Sequence, residues 1–108
     1  MKVELLYFDG CPNWTVTEQR LRSALDLVGV SAGIEHCQVD SLEEAKRHQF
    51  AGSPSIRIDG KDPFHSASAA FGLTCRIYST PDGPAGAPTL EQLVEVIEEA
   101  ATGWNAHP

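Results

Sequence analysis

The sequence predicts an α/β domain in which a four-stranded mixed sheet is flanked by three helices, in the order β-α-β-α-β-β-α. In the first half of the chain, short apolar runs alternate with stretches of helical periodicity, which favours parallel strands joined by right-handed crossovers. Two more apolar runs follow without a helical pattern between them, and an amphipathic stretch comes last. A length of 108 residues suits one core without disulfide support. We expect residues 1–103 to form this domain and 104–108 to be a frayed tail.

The first strand and the first helix follow from the residues at the start of the chain. Lys2–Phe8 is a nearly continuous apolar run, typical of a strand that is buried on both faces. A helix is predicted from Pro12, since proline suits the first helical position, to Gly29, which can form a left-handed cap. Its apolar residues recur at helical spacing: Trp14, Leu21, Leu25 and Val28.

A second strand and a short second helix complete the alternating half of the chain. The strand is predicted at Ile34–Val39, although polar and apolar residues do not alternate cleanly there. Ser41 and Glu44 have the spacing of a capping box, in which both side chains accept hydrogen bonds from backbone N–H groups. They predict a helix that begins after Ser41 and ends at about Gln49.

Two further strands are predicted at Ser55–Asp59 and Thr74–Ser79. Because no helix separates them, we expect them to pair antiparallel. The connection between them, residues 60–73, is longer than a hairpin needs and contains Phe64 and Phe71. It is therefore expected to be a packed surface loop or a lid. The first and third strands should be central in the sheet, with the first and last helices on one face and the second helix on the other.

The last helix has an apolar stripe, formed by Leu90, Leu93, Val94, Ile97 and Ala101. Thr89 is its predicted N-cap, because a threonine hydroxyl can accept a hydrogen bond from the first turn. Gly103 is predicted to end it.

Composition limits the classes of partner. Eight basic and 15 acidic residues give a formal net charge of −7, which argues against a nucleic acid or an anionic membrane as partner. No apolar run approaches membrane-spanning length, and the N-terminus enters a strand without a signal-peptide pattern. The three cysteines are an odd number at scattered positions, unlike a secreted disulfide framework. We therefore expect a cytoplasmic protein in a reducing compartment.

Cys11 is the main candidate for chemistry, because it lies where the first strand gives way to the first helix. At that end of a helix, backbone N–H groups lack partners and the dipole is positive, which stabilises a thiolate and increases its reactivity. We expect the Cys11 thiolate to be stabilised only modestly, because Asp9 is acidic, the chain is acidic overall, and no lysine or arginine is close in sequence. The alternative is that Cys11 is only a small residue at the helix end.

Two motifs resemble those of thioredoxin-like proteins. Gly52-Ser53-Pro54 precedes the third predicted strand, and Cys11-Pro12-Asn13-Trp14 is similar to the glutaredoxin motif Cys-Pro-x-Cys. The resemblance covers roughly residues 2–101 and implies a thioredoxin-like fold in which Pro54 is cis and faces the cysteine. Trp14 replaces the second cysteine, so the motif itself lacks a resolving thiol. The sequence also resembles small bacterial thioredoxin-like proteins that are sometimes labelled alkylmercury-lyase-like.

The resemblance also implies residues that would bind a substrate. Ser53 and Pro54 could offer backbone groups to an extended peptide or to glutathione, or could form only a structural turn. Pro12 and Trp14 belong to the same candidate surface, where the tryptophan would shape an apolar groove; alternatively, it is a core residue. Thr89 begins the helix that receives a glutathione carboxylate in glutaredoxins, so it has a second candidate role beside capping.

The other two cysteines are expected to pack in the fold. Cys37 lies in a predicted strand, where a free cysteine behaves as a small hydrophobe. For Cys75, packing competes with a role as a second thiol or a metal ligand. The expected pairing of the late strands places Cys75 about 10 Å from the strand end near Cys11, at ~3.3 Å per residue, which is too far for a disulfide. We therefore predict that Cys11 acts alone and that Cys75 is a packed strand residue.

Three functions are compatible with these residues. The first, which we favour, is monothiol redox chemistry, in which Cys11 attacks a disulfide-containing protein or forms a mixed disulfide with a low-molecular-weight thiol such as glutathione. The second is soft-metal or organomercurial chemistry, which needs Cys11, a second cysteine and a proton donor such as Asp9. The third is a non-catalytic thioredoxin-like binding module. The four histidines show no ligand spacing with the cysteines, so no metal site and no resident cofactor are predicted.

Overall fold

The computed structural model describes residues 1–64 and 72–102, in which three helices pack around a mixed sheet. The strands of this sheet are β1 (Val3–Tyr7), β2 (Ile34–Gln38) and β3 (Ser55–Ile58). β1 is central, and it pairs parallel with β2 and antiparallel with β3. The helices are α1 (Asn13–Val28), α2 (Leu42–Arg47) and α3 (Leu90–Ala101). The predicted α/β class, with a mixed sheet and three helices, is confirmed.

The buried side chains of β1 divide between two apolar cores, one on each face of the sheet. Val3 and Leu5 join the core that contains residues of α1 and α3. Leu6 joins the other core, together with Ala45 of α2 and Phe50, the residue shortly after that helix. All five side chains are at most 1 % exposed. The expected layering, with the first and last helices on one face and the short helix on the other, is therefore confirmed.

The helix ends agree closely with the sequence signals. The sequence predicted Pro12 as the first helical residue, but Pro12 occupies the N-cap and α1 begins one residue later, at Asn13. Gly29 ends this helix with a φ of 81°. The Ser41 hydroxyl caps α2 by accepting a hydrogen bond from a backbone N–H at 3.1 Å, which is the serine half of the predicted capping box. Thr89 caps α3 as predicted, and Gln92 completes a capping box with it.

The predicted four-stranded sheet is wrong. In place of a strand over residues 74–79, the structure has β4 (Tyr78–Thr80), which pairs antiparallel with β5 (Gly83–Ala85) in a separate two-stranded sheet. β3 pairs with β1 instead of β4 and lies at an edge of the main sheet. It ends because Asp59 and Gly60 both have positive φ, which turns the chain out of the strand. The turn residues at positions 81–83, Pro-Asp-Gly, bring β5 back onto β4.

Some predictions concern residues 65–71 and 103–108, which lie outside the described residues. They are the centre of the connection 60–73 with Phe71, the helix stop at Gly103, and the tail. The described ends of the connection contact the domain. The Phe64 ring lies edge-on to the Tyr78 ring, with centroids 5.3 Å apart. The Gly72 N–H donates to a backbone carbonyl at 3.0 Å. In the two described ranges, no helix is both long and apolar enough to cross a membrane.

Candidate functional site

Cys11 lies between β1 and α1, and its side chain is fully buried at 0 % exposure. Its backbone N–H donates to the Phe8 carbonyl at 3.2 Å, which closes the turn after β1. Pro12 follows as the exposed N-cap residue of the helix. The apolar strand, the turn and the helix start therefore place the thiol at the positive end of the α1 dipole, as the sequence predicts.

The Cys75 Sγ atom lies 2.8 Å from the Cys11 Sγ atom. Because a disulfide bond is ~2.05 Å long, a shift of less than about 1 Å would allow these sulfurs to bond. The prediction that Cys75 is a packed strand residue far from Cys11 is therefore wrong: Cys75 is exposed and lies outside the strands. The physical reason is the pairing, since Cys75 forms an isolated parallel bridge with Ser53 and does not continue an antiparallel ladder along β3.

Two backbone hydrogen bonds hold Cys75 in this position. The Ser53 N–H donates to the Thr74 carbonyl at 2.8 Å, and the Arg76 N–H donates to the Ser53 carbonyl at 2.9 Å. Gly52 permits this close approach, because it has a φ of 112° and a Cβ atom there would lie 3.1 Å from the Thr74 carbonyl oxygen and from the Arg76 Cβ. A side chain at residue 52 would therefore push the cysteine-bearing segment away from Ser53.

The two thiols belong to a short chain of hydrogen bonds. The Cys75 thiol donates to Cys11, and the Cys11 thiol donates to the Ser53 carbonyl at 3.4 Å. The Asn13 side-chain amide approaches the Cys11 sulfur at 3.9 Å. The hydrogen bond to Cys11 is the largest of the effects that raise the pKa of Cys75. The exposed thiol therefore holds its proton more firmly than a free cysteine does.

The segment after Cys75 is tied to the residues that precede β3. The Ser53–Pro54 peptide bond is cis, as the resemblance implied, and both residues are buried. The Tyr78 hydroxyl donates to the Pro54 carbonyl at 2.5 Å. Burial raises the pKa of Tyr78, so this hydroxyl stays a neutral donor. The backbone groups that the sequence suggested for a substrate, the Ser53 N–H and the carbonyls of Ser53 and Pro54, are thus engaged within the chain.

Trp14 and Thr89, two other candidate binding residues, have structural partners. Trp14 packs against the core of α1 and α3, and its ring stacks on Tyr7 with centroids 4.3 Å apart. It is half-buried, which fits the core alternative better than an open groove. The Thr89 N–H and hydroxyl are both hydrogen-bonded to Gln92, at 2.9 and 3.1 Å. The start of α3 is thus occupied by its own capping box.

The two remaining candidates lie apart from the thiol pair or face solvent. Cys37 is half-buried and packs against the core of Leu6 and Phe50, as predicted. Burial is the largest of the effects that raise its pKa. Asp9, the proton donor considered for organomercurial chemistry, is exposed.

Sequence reasoning assigned no role to two residues that the structure brings into the site. Asn13 fills the variable position of the Cys-Pro-x-Cys pattern, so the motif itself could have drawn attention to it. Arg76 directly follows Cys75 and forms an ion pair with Asp62, with 2.6 Å between Nη1 and Oδ2. No periodic or motif signal links these two charges, because a long connection separates them in the sequence.

Comparisons of the chain with protein-family models, with curated proteins and with solved structures gave no match. Among residues 1–64 and 72–102, no group of three or more His, Cys, Asp or Glu side chains is arranged to hold a metal ion. The functional interpretation of this site therefore depends on Cys11, Cys75 and the residues that hold them together.

Proposed function

We propose that this protein is a thiol–disulfide exchange protein in which Cys11 and Cys75 alternate between two thiols and one intramolecular disulfide. The observation that carries the proposal is the 2.8 Å distance between their Sγ atoms. The inferred thioredoxin-like fold is part of the proposal, and it is supported by the mixed strand order β2-β1-β3 and by the contact of the Cys11 thiol with Ser53. We place the exchange in the reducing cytoplasm, where a thiol such as glutathione would regenerate the pair.

The exchange consists of two balanced steps. Cys75 loses its proton and attacks one sulfur of an incoming disulfide, which forms a mixed disulfide and releases the partner's other sulfur as a thiol that carries this proton. Cys11 then loses its proton and attacks the Cys75 sulfur. The bond between Cys75 and the substrate breaks, and the second substrate sulfur leaves as a protonated thiol. Two protein thiols are thereby oxidised while one substrate disulfide is reduced to two thiols.

Exposure determines the order of these steps. Cys75 is exposed, whereas Cys11 is 0 % exposed and cannot meet an external disulfide without movement of the chain. The structure therefore favours a pair of thiols over the monothiol mechanism that the sequence suggested. The raised pKa of Cys75 limits its thiolate fraction at neutral pH, so the first step should accelerate as the pH rises.

The distance between the sulfurs also favours a disulfide over a shared soft metal ion. Two thiolates at ~2.3 Å from one ion are about 3.8 Å apart in a tetrahedral site and about 4.6 Å apart in a linear one. The observed 2.8 Å is shorter than both values, so a metal would have to push Cys75 away from Cys11. Disulfide formation needs an approach of about 0.75 Å, whereas a metal needs the sulfurs to separate by about 1 Å in a tetrahedral site and by about 1.8 Å in a linear one.

The number of thiols released from glutathione disulfide tests the proposal. Reduced Cys37→Ser protein is mixed with excess glutathione disulfide, and released glutathione and protein mass are measured together. We expect two glutathione molecules per protein and a product that has lost two hydrogens. In the same background, Cys11→Ser should release one glutathione and keep one as an adduct on Cys75, and Cys75→Ser should release none.

The monothiol mechanism and the binding module predict different results in this assay. If the Cys37→Ser protein, in which Cys11 and Cys75 are both present, releases one glutathione and keeps a stable adduct on Cys11, the monothiol mechanism is established. No release and no change of mass would contradict thiol exchange and favour the binding module.

A further inference from the structure

Few backbone contacts fix the position of Cys75, although its sulfur must be held at a well-defined distance from the Cys11 sulfur. Its bridge with Ser53 is isolated, and the next strand begins only at Tyr78. In the part of the chain that the structure describes, two backbone hydrogen bonds hold the segment at this bridge. Further contacts are needed to keep the cysteine beside Cys11.

The Arg76 side chain supplies these contacts. Its guanidinium donates to both carboxylate oxygens of Asp62, at 2.6 and 3.3 Å. It also donates to the Phe64 carbonyl at 2.5 Å and to the Ser55 hydroxyl at 3.3 Å. The guanidinium carbon lies 4.7 Å from the centre of the Tyr78 ring, and the side chain is only 9 % exposed. One planar group thus connects the cysteine-bearing segment to the residues after β3 and to the start of β3.

We call these contacts of the Arg76 side chain the Arg76 clamp. The clamp is better suited to fixing the position of the segment that carries Cys75 than to stabilising the fold. The cost of burying an ion pair can equal its electrostatic gain, so a largely buried arginine–carboxylate pair is weak evidence for a stability role. The planar fork of arginine, by contrast, holds several acceptors in defined directions, which an ammonium group cannot do. Arg76 is adjacent to Cys75, so whatever fixes its side chain also restricts the position of the thiol.

We infer that Arg76 is a positioning residue that sets the reduction potential of the Cys11–Cys75 pair, an inference that rests on the proposed function. The clamp keeps Cys75 close to Cys11 and so gives the two thiols a high effective concentration. Without it, the segment has more freedom to lose when the disulfide closes, so the disulfide is less favourable. Each tenfold fall in the equilibrium constant for disulfide formation corresponds to a potential about 30 mV higher.

Redox titration in glutathione buffers tests this inference. The oxidised fraction of Cys37→Ser protein is measured by mass spectrometry for otherwise unchanged protein, Arg76→Met and Arg76→Lys. We expect Arg76→Met to lower the equilibrium constant for disulfide formation at least tenfold. Arg76→Lys should restore part of this loss, because an ammonium can pair with Asp62 but cannot reach all the acceptors. Urea unfolding of each reduced protein tests whether the variant folds.

Arg57→Met is the matched control, because the Arg57 guanidinium also donates to backbone carbonyls, but to those of His48 and Gln49. Its redox equilibrium should stay unchanged even if its stability falls. If Arg76→Met does not fold, Asp62→Asn must lower the equilibrium constant in the same direction. The inference is overturned if the folded Arg76 and Asp62 variants have equilibrium constants for disulfide formation within threefold of that of the unchanged protein. It is also overturned if Arg57→Met shifts this constant as much as Arg76→Met does. Neither result contradicts the exchange function. Failure of the unchanged protein to form the disulfide would instead overturn the proposed function itself.

Discussion

Oxidation of the Cys11–Cys75 pair is expected to stabilise the protein by up to about 4 kcal/mol. The bond would close a loop of about 65 residues, and the chain-entropy relation gives ~4 kcal/mol at 25 °C for a loop of this length. The two sulfurs are already 2.8 Å apart, so closing the bond requires only a small approach of the two atoms. For a chain of 108 residues, 4 kcal/mol corresponds to a rise of roughly 15–20 °C in Tm.

The assay compares thermal unfolding of Cys37→Ser protein in its fully reduced and diamide-oxidised forms, with the state of the thiols verified by mass. The same protein with the additional change Cys75→Ser receives the same treatment and should show equal Tm values in both forms. An oxidised monomer that contains the Cys11–Cys75 bond but unfolds at the same or a lower temperature would refute the reasoning. It would mean that the native fold does not hold the two thiols in a bonding arrangement.

Three further results are expected. Cys11→Ala removes the hydrogen bond that does most to raise the pKa of Cys75, so the pH midpoint for alkylation of Cys75 should fall, and an unchanged midpoint would contradict this origin. Gly52→Ala forces a side chain to a φ of 112° against the segment that carries Cys75, which should cost about 1–3 kcal/mol of unfolding free energy and slow disulfide formation. Gly29→Ala is its control, because that Cβ meets nothing within 4 Å, and equal effects on disulfide formation would count against the steric argument. Burial alone would raise the pKa of Glu18, but hydrogen bonds from an arginine and a histidine outweigh burial and lower this pKa. The ionised carboxylate therefore stabilises the fold above a pH of ~4.5, and this contribution is lost as the pH falls through the lowered pKa. Unfolding free energies measured between about pH 6 and 3 should therefore fall further for the unchanged protein than for Glu18→Gln, and parallel curves would show that Glu18 contributes nothing.

The layers of the fold could be predicted because their signals are periodic. The apolar run before Cys11 becomes the central strand, buried on both faces, and the stripe that includes Leu93 and Ile97 becomes the buried face of α3. Caps at Ser41 and Thr89 mark the helix starts, because their side chains bond to the first turn wherever the helix packs. These features depend on neighbours within a few residues, which a sequence displays directly.

The position of Cys75 could not be predicted, because it depends on contacts that leave no pattern in the sequence. A one-residue bridge with Ser53 has no periodicity, and the connection over residues 60–73 is too long to impose a register on the strand that follows. The ion pair of Arg76 with Asp62 joins the two sides of that connection without a motif. The predicted antiparallel pairing with β3 is therefore wrong, and it placed Cys75 too far from Cys11.

Peptide mapping of the oxidised protein tests the central claim most directly. Trypsin places the three cysteines in separate peptides, residues 3–20, 23–46 and 62–76, so each pairing has its own mass. Reduced wild-type protein is oxidised with one equivalent of diamide, remaining thiols are alkylated, and the monomer is digested without reductant. We expect peptide 3–20 to be joined to peptide 62–76, with the Cys37 peptide alkylated. A monomer in which all three peptides are alkylated, or in which the Cys37 peptide carries the crosslink, would contradict the assignment of Cys11 and Cys75 as the redox pair.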